Sequence, residues 1–381
     1  MNILNRRLFL AALGSTALAA CGSGPRAGAS SAAPALASDM QPVPNPDFDT
    51  WLAAFRSRAA AAGISSQTLD AGLPTVGYLP GVITRDRNQI ESRRTLEDYL
   101  AIAVSDERLT KGRAALSRHA TTLAAVEARY GVTPRIVTAV WGLESLYGEK
   151  RGNIPVLSAT ATLAFDGRRG SFYESQLIAA LRILERGDTT PDRMVGSWAG
   201  AMGHTQFIPT SFQASAVDFN GDGRRDIWSD DPTDSLGSTA AYLAGNGWQT
   251  GLPWGSEAGT GGPAGRTIQP QPGGPQFTVT RNFDVIKTYN NSDFYAIGIG
   301  HLADRLGGGG PFRGSFPPDA TGLTRADRMT LQRGLASRGY DVGEIDGIIG
   351  SGTEAAIRDF QTRQGLSVTG TASRDLLARL S

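Results

Sequence analysis

The chain has 381 residues, which at about 150 per domain fits two or three domains, and its 40% hydrophobic content excludes wholesale disorder. A net charge of +1 excludes a dedicated nucleic-acid binder, which needs a basic excess to neutralise phosphates. One cysteine and three histidines exclude a disulfide framework and an all-protein Cys/His zinc site, while Gly 48 and Pro 20 point to long loops and linkers.

Residues 1–21 read as a secretory signal: Arg6-Arg7, an apolar run from Leu8 to Leu13, then small residues ending at Cys21. Broken by Gly14 and Ser15, the run is too short for an ordinary spanning helix. Leu18-Ala19-Ala20-Cys21 resembles the lipobox of a bacterial lipoprotein signal, which implies acylation of Cys21 and a protein anchored to a membrane rather than spanning it. With Gly22 and no Asp after the cysteine, the resemblance favours the outer membrane, facing the periplasm. A plain signal peptide with an accidental cysteine is the alternative. Asn5-Arg6-Arg7-Leu8-Phe9-Leu10 also resembles a twin-arginine export motif, so both export routes stay open. Residues 22–46, small and Ala/Ser/Gly/Pro-rich, read as a flexible tether.

From 47 to 306 apolar residues recur at helical spacing, as in Trp51, Phe55, Ala59 and Leu177, Leu181, Leu184. Phe277-Thr278-Val279-Thr280 alternates like a strand, and Gly255 to Pro275 reads as a Gly/Pro-rich loop without periodicity. Within this body, Thr133 to Gly148 is a marked helix, with Thr133 as N-cap, Pro134 at the first helical position and Gly148 suited to the left-handed C′ site. Ile136, Val137, Val140, Trp141, Leu143 and Tyr147 fall on one face, and Glu144 falls near its middle. A carboxyl in apolar surroundings is pushed toward its neutral form, as a general acid requires. The competing reading is a Glu that snorkels or pairs with a cation such as Arg151.

Trp141-Gly142-Leu143-Glu144-Ser145-Leu146-Tyr147-Gly148 and Gly200-Ala201-Met202-Gly203-His204-Thr205-Gln206-Phe207-Ile208-Pro209-Thr210-Ser211 together resemble the membrane-bound lytic murein transglycosylase B family, over roughly Phe48 to Leu306. The resemblance implies a mainly α (α+β), lysozyme-like catalytic domain and makes Glu144 the single acid/base. It also implies substrate contacts from Gln206, Tyr242, Tyr289 and Tyr295. Phe172 departs from relatives that carry a tyrosine there.

Asp218-Phe219-Asn220-Gly221-Asp222-Gly223-Arg224-Arg225-Asp226 opens like an EF-hand loop, with oxygen side chains at alternate positions followed by glycine. Asp218, Asn220, Asp222 and the Arg224 carbonyl would converge on a structural calcium. Position 12 is Ser229, so Asp226 or a later carboxylate must close the shell; the resemblance favours Asp234, after a loop two residues longer than in some members. A metal-free Asx-turn loop is the alternative. No cofactor is required for the chemistry.

A second Gly/Pro-rich linker, 307–322, leads to a unit at 323–381. Asp346-Gly347-Ile348-Ile349-Gly350-Ser351-Gly352-Thr353, with Ala356-Ile357 and Phe360-Gln361, resembles the small three-helix peptidoglycan-binding domain family. The expected function is therefore cleavage of the β-1,4 bond between N-acetylmuramic acid and N-acetylglucosamine with formation of 1,6-anhydro-muramic acid. Peptidoglycan strands are the expected partner, and a monomer the expected state. The alternatives are a water-using muramidase, for which Glu149, Asp166 or Glu174 would supply the second carboxylate, and a non-catalytic wall-binding lipoprotein.

Overall fold

The structure is a computed structural model that describes residues 36–88 and 94–380. Residues 1–21, read as a signal ending at Cys21, and most of the stretch read as a tether lie outside the described residues. The helices run, in chain order, α1 (Pro46–Ala61), α2 (Ser66–Gly72), α3 (Pro80–Arg87), α4 (Leu96–Ala103), α5 (Asp106–Arg118), α6 (Ala120–Tyr130), α7 (Pro134–Ser145), α8 (Val156–Asp166), α9 (Gly170–Arg186), α10 (Pro209–Ser215) and α11 (Thr233–Gly245). After them come α12 (Arg281–Tyr289), α13 (Asp293–Leu306), α14 (Arg325–Ala336), α15 (Ser351–Arg363) and α16 (Arg374–Leu380). The strands are short: β1 (Ile154–Pro155), β2 (Val195–Gly196), β3 (Gly255–Glu257), β4 (Arg266–Ile268) and β5 (Phe277–Val279). The helix-rich α+β class expected from the periodicity is what forms.

Contacts divide the described residues into two compact units: one of 36–88, 110–251 and 285–292, the other of 94–109, 252–284 and 293–380. In the first unit α8 packs along α9, and α6, α7 and α11 pack on one another. Phe55 and Ala59 of α1, and Leu177 and Leu181 of α9, are buried as their spacing predicts. Past its first two residues, helix α7 is buried all round. Every residue from Ile136 to Leu143 is inside, so the single apolar face read from the sequence understates its burial, and Glu144 is the first residue to regain partial exposure. Pro134 occupies the first turn, while Thr133 is extended at the N-cap without a side-chain bond to the helix.

In the second unit, β5 lies between β3 and β4 in an antiparallel sheet, with Thr278 opposite both Ser256 and Thr267. The stretch read as a featureless loop thus holds both edge strands. Each is three residues long, too short for an alternation to register. Helix α4 is capped by the Thr95 side chain, which accepts from the Asp98 N–H. The Gly/Pro linker is pinned: the Phe312 ring stacks on His301 at 3.8 Å and meets Phe277 edge-on at 4.9 Å. The Glu257 carboxylate accepts from the backbone N–H groups of Arg313 (2.7 Å) and Gly314 (2.5 Å).

Helices α14 to α16 close around Leu331, Leu335, Ala356, Ile357, Phe360, Leu376 and Leu380. Thr324 and Asp327 form a reciprocal capping box at the start of α14. The glycine-rich loop before α15 is held by the buried Gln332, which donates to the Ile348 carbonyl (3.1 Å) and accepts from the Gly347 N–H (2.8 Å).

Candidate active site

Glu144 is the next-to-last residue of α7. The helix does not run on to Gly148, as its sequence suggests. Leu146 (φ 50°), Tyr147 (φ 57°) and Gly148 (φ 91°) form three consecutive left-handed residues. Such a conformation costs a branched or bulky residue free energy that its surroundings must offset. Among the described residues, the only other non-glycine with positive φ is Gln206 (φ 50°), the residue singled out in the second motif. Backbone strain is therefore concentrated at the two segments that the sequence marks as functional.

The two segments are joined by hydrogen bonds. The Ser145 hydroxyl, fully buried, donates to the His204 carbonyl (2.8 Å) and accepts from the Gly148 N–H (3.1 Å). The Trp141 indole Nε1–H donates to His204 Nδ1 (3.0 Å). Gln206 Nε2 donates to the carbonyls of Arg151 (3.0 Å) and Gly203 (2.9 Å), so its carbonyl oxygen is the part that can accept from a ligand. Arg151, weighed above as a cation for Glu144, donates to the Trp228 (2.9 Å) and Ser229 (2.7 Å) carbonyls and pairs with Asp230 (2.7 Å).

Tyr242 and Tyr289 meet edge-on at 4.9 Å, and both lie against Phe207. Tyr289 is 2% exposed, and its hydroxyl donates to the Thr205 carbonyl (2.6 Å), so it supports the loop that carries Gln206. Tyr242, part-exposed, donates to the Thr288 carbonyl (2.6 Å). Tyr295 lies in the first turn of α13, in the second unit, and is buried. Phe172 packs against Tyr173 at 5.1 Å within a core cluster.

In the acidic loop, Asp218, Asp222 and Asp234 each bring a carboxylate oxygen within 4.8 Å of the others. The lengthened loop thus reaches back to Asp234, and Asp226 does not join the group. Asp226 accepts from the Trp228 and Ser229 N–H groups and pairs with Arg193. Asp234 is buried and accepts from the N–H groups of Phe219, Asn220 and Asp226; burial pushes its pKa up in spite of them. Hard oxygen donors converging on one point, two of them on a glycine-rich turn, fit a calcium or magnesium ion.

The chain matches the Transglycosylase SLT domain family over residues 47–264 and 262–304, and the Putative peptidoglycan binding domain family over 324–380. It belongs to the transglycosylase SLT family. Among solved structures, the chain is similar to SltB3 of Pseudomonas aeruginosa in complex with NAG-anhNAM-pentapeptide, at 42% identity and a TM-score of 0.69. That match covers 88% of this chain and 100% of the other. It is also similar to the Escherichia coli lytic transglycosylase Slt35 in complex with calcium (26% identity, TM-score 0.59, 69% of this chain and 93% of that one). Among curated proteins it matches the membrane-bound lytic murein transglycosylase B of Escherichia coli K12, 40% identical over 123 residues. That stretch spans about a third of each protein: 32% of this chain and 34% of the relative.

Nothing in the sequence marks His204 and Arg151 as a pair. A lone buried histidine carries no spacing signal, and only the meeting of four separate segments gives it meaning.

Proposed function

We propose that this transglycosylase cleaves the β-1,4 bond between N-acetylmuramic acid and N-acetylglucosamine of peptidoglycan and leaves a 1,6-anhydro-muramic acid end, in wall remodelling and turnover. The observation that carries the reading is the state of the carboxylates. Glu144 stands at the end of a buried helix on a strained, tightly bonded turn. The three carboxylates that a muramidase would draw on are each engaged by a cation: Glu149 by Lys111 (2.5 Å), Asp166 by Arg87 (2.6 Å) and Glu174 by both nitrogens of the Arg58 fork (2.8 and 2.9 Å). Each is thus held by a charged partner elsewhere in the fold, and none is placed as a second carboxylate beside Glu144 by its bonds.

Glu144 alone completes the reaction. Its acid proton passes to the glycosidic oxygen as the bond to C1 breaks. The carboxylate so formed takes the proton of the muramic C6 hydroxyl as O6 closes on C1. No water enters, and because the nucleophile belongs to the substrate, a second carboxylate is unnecessary. The Gln206 carbonyl and Tyr242 hold the sugar, with Tyr289 bracing their wall. Tyr295 keeps the contact role that the family resemblance implies. The anhydro sugar named in the SltB3 complex supports this product.

Asp218, Asn220, Asp222, Asp234 and the Arg224 carbonyl are the oxygen ligands for a structural calcium, which when bound supplies positive charge that cross-links the loop and takes no part in the reaction. The calcium complex of Slt35 supports that assignment. The 324–380 domain holds the insoluble wall, and Cys21 carries a lipid that keeps the monomeric enzyme in the envelope, at the outer membrane facing the periplasm. No helix among the described residues is long and apolar enough to cross a membrane.

Digestion of purified sacculi in ¹⁸O-water, followed by mass spectrometry, tests the reaction. Muropeptides lighter by one water than hydrolytic products, and free of heavy oxygen, are expected. Reducing ends carrying ¹⁸O as the main product would make the enzyme a muramidase.

A further inference from the structure

The buried polar centre of the first unit is the imidazole of His204, 3% exposed. Its Nδ1 accepts from the Trp141 indole N–H (3.0 Å), so the proton of the neutral ring sits on Nε2, which lies 2.7 Å from the Ser229 carbonyl and donates to it. Arg151 Nη1 lies 3.2 Å from the same Nε2 and donates to that carbonyl as well. The His204 main chain is tied on both sides: its carbonyl accepts from Ser145, the residue after Glu144, and its N–H donates to the Ile227 carbonyl (3.0 Å). Trp141 is itself boxed by His119, Tyr147 and His204, with ring centroids 5.5 to 5.7 Å away. A Cβ on Gly148 would lie 2.3 Å from the imidazole Cε1, so the glycine that ends the left-handed turn also makes room for this ring.

We propose that His204 is a positioning residue for Glu144: it fixes the end of α7 through Trp141 and Ser145, and fastens that end to the 227–230 arm of the acidic loop. The inference rests on Glu144 being the acid/base. It follows from where the bonds fall. Two of the four lead into the last turn of α7, one from its interior and one from the neighbour of Glu144. The other two lead to Ile227 and Ser229, in the loop segment whose Trp228 and Ser229 carbonyls accept from Arg151. A neutral imidazole with fixed donor and acceptor serves both sides, whereas an apolar replacement would leave the Trp141 N–H and the Ser229 carbonyl without this partner. Displacing a reacting group by about 1 Å costs on the order of 100-fold in rate, so a residue that only holds the helix end can govern turnover. The ring is pushed down to about pKa 4, chiefly by burial, with Arg151 adding to the effect and the Ser229 bond opposing it; it therefore stays neutral in the working range.

The test uses the intact protein and a soluble muramyl-containing tetrasaccharide. His204→Ala is expected to lower kcat about 100-fold while KM changes less than twofold. His204→Asn retains an acceptor for Trp141, and His204→Gln a donor for Ser229, so each should regain roughly tenfold over the alanine variant. The Trp141 indole ¹⁵N–H resonance should move in the alanine and glutamine variants and stay near its wild-type position in the asparagine variant. A kcat within twofold of wild type in His204→Ala, a loss carried by KM alone, or loss of the folded state in all three variants overturns the proposal. Wild-type protein that releases no product overturns the functional reading itself, an outcome distinct from an active wild type with indifferent His204 variants.

Discussion

The guanidinium of Arg328 on α14 is buried against the carboxylate of Asp98 on α4, 230 residues earlier in the chain. The same guanidinium pairs with Asp319 (2.7 Å) and donates to the Gly347 (2.7 Å) and Leu323 (3.2 Å) carbonyls, and only 3% of the side chain reaches solvent. Burial pushes Asp98 up despite Arg328. Burial acts the same way on Asp319, but hydrogen bonds from Thr321, Leu323 and Arg328 outweigh it and bring that group down. The C-terminal helices are therefore seated on α4, with the pinned linker leading to them. This differs from the loose coupling that a Gly/Pro-rich connection suggests. Four successive glycines permit mobility, yet the linker's Phe312 ring and its Arg313 and Gly314 N–H groups are held to the second unit, as is Arg328 beyond it.

Arg328→Met should accordingly destabilise the second unit, because removing one partner strands two partly buried carboxylates. Breaking a buried ion pair in this way costs about 3–5 kcal/mol, and the lower end applies, since Asp98 and Asp319 keep some access to water. Urea titration measures it. Adding Asp98→Asn should return part of the loss, and a single-variant loss below about 1 kcal/mol would show the network to be as weak as a surface pair.

Glu144→Gln should abolish turnover while leaving thermal stability and retention on insoluble wall unchanged. Loss of a general acid–base group typically costs 10²–10⁴ in rate, and here one group serves both proton transfers. Activity within about tenfold of wild type would remove Glu144 from its role.

How far these features could be read from the sequence varies with the range of the interactions behind them. Glu144 and the helix that bears it were readable, because the Pro134 start and the apolar periodicity are local. The end of that helix was not. Gly148 looks like its stop, yet Leu146 and Tyr147 are already left-handed, next to a Ser145 whose hydroxyl is bonded to a loop some 60 residues later. The acidic loop shows the same division. Asp218, Asn220 and Asp222 follow a short-range spacing, whereas Asp234 joins them only because the loop folds back, and it was reached by family resemblance rather than by spacing. The edge strands β3 and β4 are three residues each, too short to show a period, and the seat of Arg328 depends on Asp98, 230 residues away.

Stability should fall as the pH drops from about 6.5 to 4. His204 and His301 are both pushed down to about 4, His204 chiefly by burial and His301 by burial with Arg305. The unfolded chain binds a proton on each below about pH 6.5, while the folded chain does so only near 4. Stability due to neutral burial is thus fully present above 6.5 and is lost through this window, by up to about 3 kcal/mol per histidine. Denaturant unfolding across the window checks it. His301→Asn should reduce the slope, and an unchanged slope would mean that His301 titrates normally in the folded protein.

Calcium should raise the melting temperature by mass action, because the folded chain assembles Asp218, Asp222 and Asp234 and the unfolded chain does not. Without a cation, three carboxylates within 4.8 Å repel one another, and the loop relies on backbone N–H groups: those of Gly221, Asp222 and Gly223 on Asp218, and those of Phe219, Asn220 and Asp226 on Asp234. Such bonds keep the oxygens converged at a standing electrostatic cost that a divalent ion relieves. A hundredfold excess of ion over its Kd adds about 2.7 kcal/mol, enough to shift the transition by several degrees. Asp222→Ala should remove the shift, while in the metal-free protein the reduced repulsion offsets the bonds lost from the Arg224 N–H and the Asn220 side chain, leaving stability nearly unchanged. Calorimetry with and without millimolar calcium, run on both proteins, checks the two halves separately. An equal shift in the variant would place the ion elsewhere, and no shift in the wild type would make this an Asx-turn loop that needs no metal.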